Sequence, residues 1–250
     1  MDRFPESSSR QLSRSKVVCV GASGGQGLED LLELLGALRG RLDAILLVTL
    51  HRPVGVPSFL RQILQRGSAG PVTIAQDGER LVPGTCYIGE PDQHLTLAPG
   101  RHAALIRDAD HVLRNRTIDA LFVSVAHHAA ELGTGIILSG SLSDGSAGST
   151  AIRAAGGTLM AVSPSSNVWS DMPRNAIARV GSPDAVDGIA GLAAHLGRAE
   201  VAPGAVRHRW RDGAPFPLSR ILHASPATER PPEPGQDGLA WLKPPPGHAT

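Results

Sequence analysis

The chain has 250 residues, 41% of them hydrophobic, which is enough for one sizeable core. A formal net charge of +1 and an aromatic content of 3% argue against nucleic acid as a partner and against binding to an acidic membrane surface. With only Cys19 and Cys86 there is no disulfide framework or CxxC metal site. No apolar run is long enough to span a bilayer, so membrane insertion is not expected.

Residues 1–15 are rich in Ser and Arg and read as a flexible leader. They lack the apolar stretch of a signal peptide, so a reducing, cytoplasmic setting is the expectation. Lys16 to Val20 reads as a buried strand, with Cys19 as a buried thiol. The glycine turn GASGGQG follows. Leu28, Leu31, Leu32, Leu35 and Leu38 then recur at helical spacing, with Gly40 as a stop. Ala44 to Leu50 is a continuous apolar run, as in strands covered on both faces. After HRPVG, a helix is predicted from about Val56 to Arg66. The order β, α, β, α indicates a doubly wound α/β sheet.

Residues 71–107 are short strands punctuated by DG, PG and APG, which predicts hairpins rather than crossovers. An amphipathic helix is predicted over Thr117 to Leu132, with Ile118, Leu121, Phe122, Val125, Ala129 and Leu132 inward. His127 and His128 lie on it as surface residues, since neighbours on a helix point about 100° apart. Strands are predicted at Gly135 to Ser139 and Thr158 to Val162, and a helix from Gly148 to Ala155. Residues 172–180 and 184–197 read as two more helices. Beyond residue 198 proline and arginine dominate. The segment 199–250 is expected to be a disordered tail, either docking through Trp210 and Trp241 or remaining solvated.

The glycine turn has two readings. Gly21, Gly24 and Gly27 give a G-x-x-G-x-x-G spacing between strand and helix, as a dinucleotide site would use. Against a reductase, the only tyrosine is Tyr87, with Pro91 four positions on. No lysine lies between Lys16 and Lys243, and the second strand ends in Leu50 and His51 rather than an acidic residue. Arg52 keeps an NADP-type site open. The second reading makes Ser23 a nucleophile, which needs a base and an orienting carboxylate. Ser23, His51 and Asp144 each follow a predicted strand and so share the carboxyl edge of a parallel sheet. Taken singly, Ser23 also fits a helix cap, His51 a strand-end histidine bonded to backbone, and Asp144 an Asx turn.

GASGG at 21–25, the strand ending in His51-Arg52-Pro53 and SGSLSDGSAG at 139–148 resemble CheB-type protein-glutamate methylesterases, the chemoreceptor demethylating enzymes of bacteria. The segments AQDGERLVPGTCYIGEPDQHL, NRTIDALFVSVA, AIRAAGG and DMPRNAIA fit in order, so the resemblance covers residues 16–197. It implies a mostly parallel Rossmann-like sheet with an added β-hairpin, occupying residues 16–198. It also implies Ser23 as nucleophile, His51 as general base and acid, and Asp144 as orienting carboxylate. Gly24, Gly25, Ser141, Leu142 and Met172 would shape the oxyanion and substrate site. The implied reaction is hydrolysis of glutamyl methyl esters on chemoreceptor helices or a related signalling protein, with glutamine deamidation in some members. No metal or cofactor is implied. The sequence departs from the family at Gly24, where Thr or Ala is usual, at Ser141, where Met is, and at Leu142, where glycine is. No receiver domain precedes Lys16, so phosphorylation control through an attached domain is not expected.

Overall fold

The computed structural model describes residues 15–38, 42–107, 113, 115–164 and 170–198. The predicted tail, with Trp210 and Trp241, and all of the leader but Ser15 lie outside these residues. In chain order the elements are β1 (Lys16–Ala22), α1 (Gly24–Ala37), β2 (Ala44–Leu50), α2 (Leu60–Gly67), β3 (Val72–Ile74), β4 (Cys86–Ile88), β5 (Gln93–Ala98) and β6 (His102–Arg107). There follow α3 (Thr117–Ala129), β7 (Gly133–Ile137), α4 (Ser146–Ala154), β8 (Thr158–Val162), α5 (Asp171–Val180), β9 (Ala185–Asp187) and α6 (Ile189–Arg198).

Seven strands form one sheet in the order β3-β4-β2-β1-β7-β8-β9, and every pairing is parallel. The doubly wound α/β expectation holds. Strand alternation explains the two covered faces. In β1, Val18, Val20 and Ala22 join one core with α1, α2 and α6, whose Leu31, Leu34, Leu64 and Leu192 are fully buried. Val17 and Cys19 point the other way, into a core with Phe122 of α3, Ile152 of α4 and Met172 of α5. Full burial of such side chains is worth about 1.5–3 kcal/mol each, which is why both faces demand helices.

Four predicted elements are corrected. The helix expected from Val56 starts at Leu60. Pro57 disfavours helical geometry at Val56, so the helix begins only beyond it. Ser58 Oγ instead accepts the Leu60 N–H at 3.5 Å. Within 71–107 only β5 and β6 form an antiparallel hairpin, whereas β3 and β4 are parallel neighbours in the main sheet. The link between β3 and β4 crosses without a helix because it leans on that hairpin. Leu81 N–H donates to Arg101 C=O at 2.8 Å and Ala103 N–H to Glu79 C=O at 2.8 Å. The long helix ends at Ala129, where Ala130 turns to φ 49 and a short 3₁₀ turn carries Leu132. The segment read as a helix over 184–197 opens with edge strand β9, and α6 follows Gly188.

Two glycines of the first turn are set by close packing. A Cβ on Gly21 would lie 2.3 Å from Ile118 Cγ2, and one on Gly27 would lie 2.6 Å from the Ser139 carbonyl oxygen. A Cβ on Gly25 would meet nothing within 4 Å. Ile118 is fully buried and β-branched, so it has nowhere to move. Gly21→Ala should therefore destabilise the fold by about 1–3 kcal/mol. Gly25→Ala, inside a helix, should leave stability unchanged or raise it by up to about 1 kcal/mol. Urea unfolding of the two variants measures both.

Candidate active site

Parallel pairing brings the carboxyl ends of β1, β2 and β7 to one edge. β1 and β2 run in register with Ala22 opposite Leu50, and the His51 N–H donates to the Ala22 carbonyl at 3.2 Å. Ser23 and His51 are the next residue on each strand. They leave the sheet side by side, at the roughly 4.8 Å spacing of neighbouring strands. On the other flank of β1, Leu138 N–H donates to Gly21 C=O at 2.9 Å and Ser23 N–H to Ser139 C=O at 3.0 Å. The GSLSDG turn thus begins against Ser23.

Ser23 occupies the N-cap position of α1 with φ −147 and ψ 146, yet its side chain makes no capping hydrogen bond. The cap alternative therefore loses its support. Gly24 follows at φ 72, a left-handed conformation that glycine adopts without strain. The facing turn touches the serine directly. A Cβ on Gly140 would lie 2.8 Å from Ser23 Cβ and 2.1 Å from Met172 Sδ. Met172 is fully buried and backs this turn from inside the core.

His51 Nε2 and Asp144 Oδ2 are 2.6 Å apart, with side-chain exposures of 25% and 2%. The same Oδ2 accepts the Ile118 N–H at 2.9 Å, and Oδ1 accepts the Asp119 N–H at 2.9 Å. Asp144 thus satisfies two of the orphan amides at the start of α3, where the helix dipole favours negative charge. It caps this neighbouring helix and makes no Asx turn of its own. A carboxylate can only accept, so in a neutral His51 ring paired with it Nε2 is the donor and Nδ1 the nitrogen with a lone pair. Among the described residues Nδ1 makes no hydrogen bond. Serine proteases place their carboxylate on Nδ1. Here the nitrogen nearer the backbone is the open one, which suits a serine only one strand away.

Sequence reasoning missed three supporting residues. Asp30, buried on α1, accepts the Ser139 N–H at 3.0 Å and the Gln26 side chain at 3.1 Å. Since the Ser139 carbonyl also receives the Ser23 N–H, Asp30 and Ser23 are tied to the same residue from its two sides. Asn175 of α5 donates from Nδ2 to the Leu142 carbonyl at 2.8 Å. That bond steadies Leu142, which sits at φ 69, in the left-handed region the glycine of the resembled turn would enter freely. Asp119, buried in the first turn of α3, accepts the Gly148 N–H at 2.7 Å. Burial first, and the Asp144 charge second, push its carboxyl up to about 7. The available signal was clearest at Asp119, an acidic residue between the buried apolar Ile118 and Ala120.

The amides of Ser23 and Met172 are committed to Ser139 and Gly140 carbonyls. Among the described residues those of Gly24, Gly25, Ser141 and Leu142 donate no hydrogen bond to protein. They are donors of the kind that stabilise a developing oxyanion.

The dinucleotide reading finds little to stand on. Gly21 and Gly27 serve packing. The Tyr87 hydroxyl is in the core, accepting the Val82 N–H at 3.1 Å. Arg52 is turned inward, donating to Ser58 Oγ at 2.7 Å and to the Gly89 carbonyl. Burial lowers its guanidinium to about 10. His127 and His128 are half-buried, which corrects their expected surface placement. Their rings meet edge to face at 4.5 Å, and burial pushes His128 down to about 4. No group of three or more potential metal ligands occurs among the described residues, and no helix there is long and apolar enough to cross a membrane.

Comparison with known proteins gives one answer. The family model described as CheB methylesterase matches residues 18–196. A Yersinia pseudotuberculosis protein named protein-glutamate methylesterase/protein-glutamine glutaminase is 38% identical over 179 residues, covering 70% of this chain and 51% of its own length. A Salmonella typhimurium protein of the same name is 37% identical over the same length. The chain spans about half the length of these relatives. The crystal structure of the Thermotoga maritima CheB methylesterase catalytic domain superposes with a TM-score of 0.66 at 28% identity, covering 73% of this chain and 97% of that one.

Two outcomes test the supports of this edge. Asp30→Ala leaves the buried Ser139 N–H unpaired and should cost about 1–3 kcal/mol in urea unfolding, with Asp30→Asn milder because its amide oxygen still accepts. For Asp119 the sign follows from its raised value. A group whose pKa is higher folded than unfolded contributes stability below its unfolded value and loses it as pH rises through the folded one. The window runs from 3.8 to about 7. Across it, Asp119→Asn should gain stability relative to the parent protein, read as the pH dependence of the difference in unfolding free energy.

Proposed function

The chain belongs to the CheB methylesterase family, and we propose that it is a serine esterase that hydrolyses the γ-methyl esters of glutamyl side chains in a protein. The observation that carries this reading is the 2.6 Å His51–Asp144 pair beside an uncapped serine on the adjacent strand. Relatives named as glutaminases support glutamine deamidation at the same centre, with ammonia in place of methanol as leaving group. The proposed substrates are methylated cytoplasmic helices of chemoreceptors or a related signalling protein.

In the proposed reaction His51 Nδ1 takes the Ser23 proton as Oγ attacks the ester carbonyl. The carbonyl π bond becomes an oxyanion, held by amides among those of Gly24, Gly25, Ser141 and Leu142. Asp144 holds the ring and stabilises the imidazolium. The C–OCH₃ bond then breaks, the methoxy oxygen takes the proton back from Nδ1, and methanol leaves. Water, deprotonated by the same nitrogen, attacks the glutamyl-enzyme. Ser23 is released with its proton and the product is a glutamate side chain.

Methanol release from a methylated receptor preparation tests the reading. Ser23→Ala removes no hydrogen bond to protein and should fold normally, while lowering release by at least about 10³-fold. His51→Gln should do likewise, and Asp144→Asn should cost about 10²–10⁴-fold. Release that survives Ser23→Ala overturns the nucleophile assignment. Receptor binding without release would instead make the chain a binding module.

A further inference from the structure

Asp119 lies at the meeting point of two helices, in contact with the residue that orients the proposed base. Its backbone N–H donates to Asp144 Oδ1 at 2.9 Å, while its side-chain Oδ1 accepts the Gly148 N–H at 2.7 Å. Asp144 immediately precedes the Gly145 N-cap of α4 and reaches across to the first turn of α3. Asp119, in that first turn of α3, reaches back to the first turn of α4. Each carboxyl group therefore serves the other's helix.

We propose that Asp119 is a positioning residue for the reaction, closing a reciprocal two-carboxyl clasp that fixes Asp144 and, through it, the His51 ring. This rests on the reading of Ser23, His51 and Asp144 as the active site. Both groups are almost fully buried, at 3% and 5% exposure, so solvent does little to screen one from the other. The charged neighbours of Asp119 are Asp144 and Arg116, the first opposing its ionisation and the second favouring it. An ionised Asp119 places a second negative charge behind the His51–Asp144 pair and favours the imidazolium. A neutral one withdraws that charge. The clasp thus sets both the direction of the catalytic carboxylate and the field in which His51 titrates.

The test reads the His51 ring directly, by NMR titration of its C–H resonances, with His51→Gln used to assign them. Asp119→Asn keeps an acceptor for Gly148 but cannot ionise. Its His51 midpoint should fall by about 0.5–1 unit, and a titration broadened by coupling to Asp119 should become that of a single site. The acid limb of kcat/KM for methanol release should move down by the same amount. Asp119→Ala, which opens the clasp, should lower kcat by about 10-fold or more with little change in KM, and Asp119→Asn should restore most of it. If Asp119→Ala does not fold, the Asn titration decides alone. His51 titrations that superimpose in the parent and Asp119→Asn proteins overturn the proposal. Loss of the esterase reading would show separately, as release insensitive to Ser23→Ala, because the NMR midpoint needs no turnover.

Discussion

One carboxylate organises this edge of the molecule. Asp144 accepts from His51 Nε2, Ile118 N–H and Asp119 N–H, drawing on the end of β2 and the start of α3. A buried charge without partners would be costly, whereas three donors converging on two oxygens make this position favourable and stiff. The direction of the imidazole is therefore decided by where α3 begins. Close backbone approach makes that possible. Gly145 at φ 90 starts α4 right after the aspartate, and a Cβ on Gly148 would lie 2.5 Å from Phe122 Cβ, so α4 can bring its first turn onto α3.

Ser139 plays the matching part for the serine. Its carbonyl takes the Ser23 N–H and its N–H goes to Asp30, so the end of β1, the chain leaving β7 and α1 meet at one residue. The two halves of the site are built differently. Ser23 is held by backbone on the central strand, with its hydroxyl uncommitted. His51 is held by its side chain, with its backbone tied to Ala22. Strand ends and helix starts are more rigid supports than loops, as the proposed reaction would require.

Much of this was legible in the sequence where one periodicity dominated. AILLVTL spans β2 residue for residue, and TLMAV spans β8. The shared edge of Ser23, His51 and Asp144 also followed, because strand order and direction alone place the three carboxyl ends. What the sequence concealed depended on tertiary contact. Nothing local distinguishes VTI and CYI as parallel partners rather than a hairpin, because the support for their crossover comes from residues about twenty positions away. Asp30 and Asp119 are acidic residues on amphipathic helices, yet both are buried. Their amide partners, Ser139 and Gly148, are distant in sequence, so what each carboxyl group binds could not be foreseen from spacing.

The glycines of the two turns divide by what they permit. Gly21 and Gly27 allow helices to approach strands, Gly140 allows one turn to touch the other at Ser23, and Gly24 adopts a left-handed bend. Leu142 takes a similar bend with a side chain attached, at a cost of about 1–2 kcal/mol. That strain is local. The Leu142 carbonyl is held by Asn175, while Asp144, two residues on, keeps its bonds to His51 and α3. The departure from the family pattern thus falls on the turn lining the site and leaves the histidine–carboxylate pair unstrained. In the proposed reaction its consequences would fall on how an acyl group is received, since the His51–Asp144 pair is held by α3 and the end of β2.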